Sequence, residues 1–273
     1  MPARHGHDLE QVAERGPVPL GVQVVREVRV GAVNDECRHA GLGEVGSGCR
    51  ELPVRGDDGR LGVAVAPARV VLDEVMAGFG RTGRWFACEH WDVVPDILCV
   101  AKGINSGYVP LGAMIARGEL VDGVRDRFFP GGLTYAGHPL ACASAIASIE
   151  AFQDEGVVEN AAAMGEWFGE ALRGLAERHP SVGDVRGLGC FWGLELVKDR
   201  ATKEMLVPFN ASGEAAAPVA RVAKAALERG LYLMTHWNVM MVVPPLTITR
   251  AEAEEGVAIL DDALSLADEY VAG

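Results

Sequence analysis

At 273 residues the chain is long enough for one large domain or two modest ones, and no apolar run approaches the roughly 20 residues that cross a bilayer. A formal charge of −13, with 25 Lys and Arg spread thinly, argues against a nucleic-acid partner, because phosphate binding needs a clustered basic face. The six cysteines show no C-x-x-C pairing and no charged-then-apolar leader precedes them, the pattern of reduced thiols in a cytoplasmic protein.

The first seventy residues contain no Phe, Trp, Tyr, Ile, Lys or Thr. A stretch without aromatic side chains has little to bury, so residues 1–69 are expected to be irregular. Two origins stay open for them, a natural extension and a stretch of GC-rich gene translated out of frame. From residue 69 the periodicities become readable. Residues 69–75 form a short apolar run ending in acids, and a glycine-rich loop follows at 78–83. Residues 96–101 and 111–116 read as two further strands.

Pro139 stands where a first helical turn begins, and the Ala-rich residues 140–152 have the composition of a packed helix. A longer amphipathic helix is expected over residues 157–178, stopped by His179-Pro180. Beyond it, residues 189–197 alternate like a strand and 215–229 are helical up to Gly230. Strand-like runs follow at 231–235 and 239–243, and a last helix starts near Arg250. The organisation expected is α/β: part of a larger domain over 70–152, then a smaller α+β domain over 153–273.

Lys102 follows an apolar strand and precedes Gly103, so its amine can project from a strand end, where α/β proteins place ligands. A lysine in that position alone is more often a solvated surface residue. Asp73 closes the preceding apolar run, where a buried acid needs a partner; pairing with a cationic ring would supply about 1.5–3 kcal/mol, and capping of a helix or loop is the alternative. Three segments carry more than these features do singly: DEVMAGFGRTG at 73–83, PDILCVAKG at 95–103 and LTYAGHPLA at 133–141. Their order, and the 29 residues from Asp73 to Lys102, resemble the consecutive signatures of the class III aminotransferases, which are fold type I enzymes dependent on pyridoxal phosphate (PLP).

That resemblance implies an incomplete fold type I large domain followed by the small domain. It also implies Lys102 as the amine bonded to the cofactor, Asp73 on the pyridine nitrogen and Val75 against the ring face. Thr134 is similar to the threonine that reaches the phosphate of the neighbouring subunit; without the family it reads as an ordinary loop hydroxyl. The implied reaction is a ping-pong transfer of an amino group from an amino acid or amine to a keto acid such as pyruvate, in a homodimer with its active site at the interface. Lys102 would be both anchor and general base.

Gly78, Gly80 and Gly83 satisfy G-x-G-x-x-G after a strand, so a dinucleotide-binding module is the rival reading. It requires a sustained helix after the glycines, and residues 84–91 provide barely two turns before Val93-Val-Pro95. His138, Glu89 and His90 lack a partner at ligand spacing, so no metal is expected. Trp237 is either core or lining of a substrate opening, and Met234-Thr-His-Trp237 stands where many relatives keep a carboxylate-binding arginine. The family's phosphate-binding turn and the aromatic-His pair that covers PLP are missing before Asp73. A truncated, non-catalytic member of the same family is therefore the alternative function.

Overall fold

The computed structural model describes residues 22–23, 50–55, 61–66, 69–128 and 131–271. The expectation for the rest of residues 1–69 lies outside the described residues. The chain divides into two compact units: one comprises the described residues up to Asp73 together with Val93–Ile146, the other Glu74–Asp92 and Ala147–Gly273.

The first unit is built on a four-stranded sheet of β1 (Val22–Gln23), β4 (Val71–Asp73), β5 (Ile97–Ala101) and β6 (Gly112–Ala116), in the order β1-β6-β5-β4. A separate antiparallel pair joins β2 (Arg50–Arg55) to β3 (Leu61–Ala66). The β4–β5 pairing is parallel, whereas β6 runs antiparallel to both β5 and β1. Alternation explains which face is closed: Leu98 and Val100 are buried opposite Ile115 and Ala113, while Ile97, Cys99 and Ala101 remain half-buried on the other face. After β6 comes α1 (Gly118–Arg125), a helix not expected from the sequence, with no buried residue to give it an apolar stripe. Pro139 opens α2 (Pro139–Asp154), whose first half belongs to this unit and whose second half belongs to the other.

The second unit carries a single continuous core. Its long helix α3 (Val157–Arg178) buries Val157, Ala161, Met164, Phe168, Leu172 and Leu175, the three-and-four spacing of one helical stripe. It ends where His179 turns extended ahead of Pro180, because the residue before a proline is pushed out of the helical region. The stripe packs on the hairpin of β7 (Val182–Leu188) and β8 (Phe191–Asp199). The sheet continues to β11 (Val239–Val242) and β10 (Met234–His236), and the short β9 (Glu204–Met205) pairs with the end of β8.

Helix α4 (Ala217–Glu228) packs against β10 and against α5 (Arg250–Asp268). The N-terminus of α5 is closed by a reciprocal cap: Thr249 N–H donates to Glu252 Oε2 at 2.8 Å, and Thr249 Oγ1 accepts from Glu252 N–H at 3.3 Å. Strand β7 was not anticipated, and the run expected at 231–235 narrows to β10.

Residues 74–92 belong to the second unit although they are distant from it in sequence. The guanidinium of Arg81 donates to the Cys190 carbonyl at 3.0 Å and to the Pro244 carbonyl at 2.7 Å, and Cys190 N–H donates back to the Arg81 carbonyl at 3.0 Å. Burial pulls the Arg81 guanidinium below its ordinary value, yet two carbonyls hold it. At the same crossing a Cβ on Gly83 would stand 2.9 Å from the Cα of Ala162, and one on Gly189 would stand 2.2 Å from the Thr82 carbonyl carbon. Both glycines have positive φ (84° and 54°), so close approach and backbone conformation both demand them.

Candidate active site

The parallel register of β4 and β5 sets Val71 opposite Ile97, Leu72 opposite Leu98 and Asp73 opposite Cys99. Asp73 is therefore the last residue of its strand, exposed, on the open face of the sheet. Burial first, and then the Asp73 charge, pushes the Cys99 thiol above its ordinary value, which fits a carboxylate adjacent to that side chain. Lys102 follows the end of β5 on the neighbouring strand and is also exposed. The structure thus brings Asp73 and Lys102 to the same carboxyl end of two adjacent parallel strands, the place where α/β folds bind ligands.

Lys102 has a left-handed backbone, φ 47°. For a residue with a Cβ this costs about 1–2 kcal/mol and persists only where surrounding structure imposes it. It opens the 3₁₀ turn Lys102–Asn105, in which Ile104 and Asn105 are buried. Asn105 is 1% exposed; its Nδ2 donates to the Val109 carbonyl at 2.6 Å and its Oδ1 accepts from Gly107 N–H at 3.3 Å.

Val75 lies two residues beyond Asp73 in the turn that follows β4, half-buried. Thr134 stands on a different segment, an exposed turn ahead of α2. The adjoining residues Tyr135–His138 and Ala141 form one wall of an apolar cleft of about 200 Å³, and Val109–Gly112 form the other.

Glu74 was not singled out from the sequence, and its role is distinct from that of Asp73. It is 3% exposed, and its carboxylate accepts from the N–H groups of Ala87 and Cys88 at 3.0 and 2.8 Å. These are the first donors of the 3₁₀ turn Ala87–Trp91. The capping bonds considered for Asp73 are thus made by its neighbour. The only sequence signal for it is the alternation of β4, which turns every second side chain inward.

The glycine loop does not open a dinucleotide site. After Gly83 the chain makes turns and the five-residue 3₁₀ segment Ala87–Trp91, so no long helix offers its N-terminus to a pyrophosphate. His90 Nε2 lies 3.0 Å from the Thr82 carbonyl oxygen, and among the described residues no three His, Cys, Asp or Glu side chains gather as a metal set. Trp237, with φ 52°, has its ring centroid 4.2 Å from that of Phe209 and 3.9 Å from that of His236.

Residues 67–264 match the family model for class III aminotransferases. An adenosylmethionine-8-amino-7-oxononanoate aminotransferase from Methanocaldococcus jannaschii is 41% identical over 191 residues, covering 67% of this chain and 40% of that protein. A taurine–pyruvate aminotransferase from Bilophila wadsworthia is 35% identical over 207 residues, covering 73% of this chain and 45% of that protein. The crystal structure of a taurine:2-oxoglutarate aminotransferase from Bifidobacterium kashiwanohense, in complex with PLP and glutamate, superposes with a TM-score of 0.70 at 34% identity, over 75% of this chain and 45% of that one. The chain spans less than half the length of these relatives. The matched residues and the two strand ends that carry Asp73 and Lys102 have one common account: this chain belongs to the class III aminotransferase family, with the fold type I architecture of its pyridoxal-phosphate enzymes.

Proposed function

We propose that the chain is the PLP-carrying part of a transaminase that moves an amino group from an amino acid or amine to a keto acid such as pyruvate. One observation supports this above the others: an amine and a carboxylate, Lys102 and Asp73, sit at the carboxyl ends of strands paired in parallel. The donor set fits two demands of the cofactor, an amine for its aldehyde and an anion for its ring nitrogen. When bound, PLP supplies an electrophilic aldehyde and an electron-withdrawing ring.

The protein residues do the rest. Asp73 would hold a proton on the ring nitrogen through a charge-assisted hydrogen bond, and Val75 would pack on the ring. The amine of Lys102 would hold the cofactor through its aldehyde, condensing with loss of water, and would serve as the base that carries a proton to and from the substrate carbon; such general base work is typically worth about 10²- to 10⁴-fold.

The reading extends to a homodimer with the active site at the subunit interface, in which Thr134 donates its hydroxyl to a phosphate bound mainly by the neighbouring subunit. Tyr108, Phe128, Tyr135 and Leu140 are 84%, 91%, 66% and 63% exposed, an apolar surface that supports association. Residues 70–152 would then form part of the large domain and 153–273 the small one. The described thiols Cys88, Cys99, Cys142 and Cys190 are unpaired, as in a cytoplasmic protein.

The test is a visible absorption scan of the chain with added PLP. A band that is present in the wild type and absent from Lys102→Ala supports the assignment. A band that survives that substitution refutes it.

A further inference from the structure

The reading of Lys102 as the cofactor lysine leaves unexplained why its backbone is left-handed, and the explanation lies three residues on. Strand β5 ends at Ala101, and β6 begins at Gly112. The intervening loop contains three residues of positive φ, Lys102 (47°), Ser106 (53°) and Gly107 (79°). A loop with so much left-handed backbone needs something fixed to wind around. Its one buried polar side chain among the described residues is Asn105, and both ends of that amide are used on the loop itself. Nδ2 reaches forward to the Val109 carbonyl at 2.6 Å, and Oδ1 takes the Gly107 N–H at 3.3 Å. The Asn105 carbonyl accepts from Tyr108 N–H at 3.1 Å, so backbone and side chain of one residue close the same turn.

We infer that Asn105 is the positioning residue for Lys102: by clamping residues 107–109 from inside the loop, its amide imposes the left-handed backbone that sets the direction in which the lysine leaves the strand. Apolar residues of the same size would fill the space but leave the Gly107 N–H and the Val109 carbonyl without their partner. The strained lysine would then relax toward the right-handed region, and its Cα–Cβ bond would change direction. The inference rests on the proposed role of Lys102, but the loop geometry that carries it does not.

Lys102, Lys198, Lys203 and Lys224 are the only lysines in the sequence, which makes the test self-referenced. The full chain is treated with PLP, reduced with borohydride and mapped by peptide mass. Wild type is expected to label Lys102 ahead of Lys224, and Asn105→Ala is expected to lower that ratio about tenfold, the size set by one residue of left-handed strain. Asn105→Asp, which keeps the acceptor for Gly107 and as a carboxylate sets an oxygen against the Val109 carbonyl, should move the ratio in the same direction; it also serves if the alanine variant does not melt cooperatively.

A purely structural Asn105 would lower the melting temperature and leave the ratio in the folded protein unchanged, which overturns the inference. The Cα chemical shift of Lys102 in lysine-labelled chain supplies a cofactor-independent arm. A shift that moves in the Asn105 variants supports the clamp even if wild type labels without selectivity, in which case the assignment of Lys102 to PLP fails by itself. A shift that stays put overturns the clamp whatever the labelling shows.

Discussion

Asp73 and Glu74 are adjacent acids with opposite settings. One is exposed at the end of β4, and the other is 3% exposed and holds two N–H groups. Removing the Glu74 carboxylate leaves both donors buried, so Glu74→Ala is expected to destabilise by about 1–3 kcal/mol, read as a lower denaturant midpoint with an unchanged slope. Asp73→Ala should behave differently: little change in stability, but PLP retention weaker by about tenfold to a hundredfold, the range of one hydrogen bond to a charged group, measured by absorbance titration. Burial first, and then the Glu74 charge, raises the Cys88 thiol from 9.0 to about 11. A thiol raised by folding adds stability that is complete below about pH 9 and is lost as pH climbs through about 11. Between those values the urea midpoint of wild type should fall more steeply than that of Cys88→Ala; parallel curves would show that the thiol does not titrate with unfolding.

Helices α3 and α5 are joined by a cluster of polar bonds as well as by apolar packing. The His179 ring has its Nδ1 2.7 Å from Asp268 Oδ2 and its Nε2 2.7 Å from Asp261 Oδ1. Asp268 Oδ1 also accepts from the Ser181 N–H and hydroxyl at 3.1 and 2.7 Å. Asp268→Ala removes the acceptor of the Ser181 N–H and hydroxyl and the partner of His179 Nδ1 inside this joint, and is expected to cost about 2–3 kcal/mol. On the apolar side of α3, Leu172 is fully buried, and Leu172→Ala should cost about 2–5 kcal/mol by cavity formation. Thermal melts of both variants check the two values, and a smaller loss at Leu172 would mean that the surrounding core collapses into the gap.

Over the whole molecule, the two units are supported unequally. The second holds the continuous apolar cluster that includes Leu194, Leu196, Val222 and Leu264, all buried; the first, whose Tyr108, Phe128, Tyr135 and Leu140 are exposed, contributes none of its described residues to that cluster. Exposed apolar surface of this kind favours association, so sedimentation velocity should show concentration-dependent self-association, weakened when Tyr135 and Leu140 are both replaced by Ser. A strictly monomeric chain at all concentrations would count against the homodimer.

The sequence alone was enough to assign the family and most of the regular elements from 69 onward. Asp73 and Lys102 were legible because strand, acid, lysine and glycine fall in family order, and α3 was legible from its apolar stripe and its His-Pro stop, which are local properties of the chain. What only the tertiary structure decided depends on neighbours remote in sequence. The attachment of 74–92 to the second unit rests on carbonyls of Cys190 and Pro244. Strand β7 has a weak pattern of its own and exists through its pairing with β8. The inward turn of Glu74 depends on which backbone donors the fold brings within reach, and no spacing of residues along a chain encodes that directly.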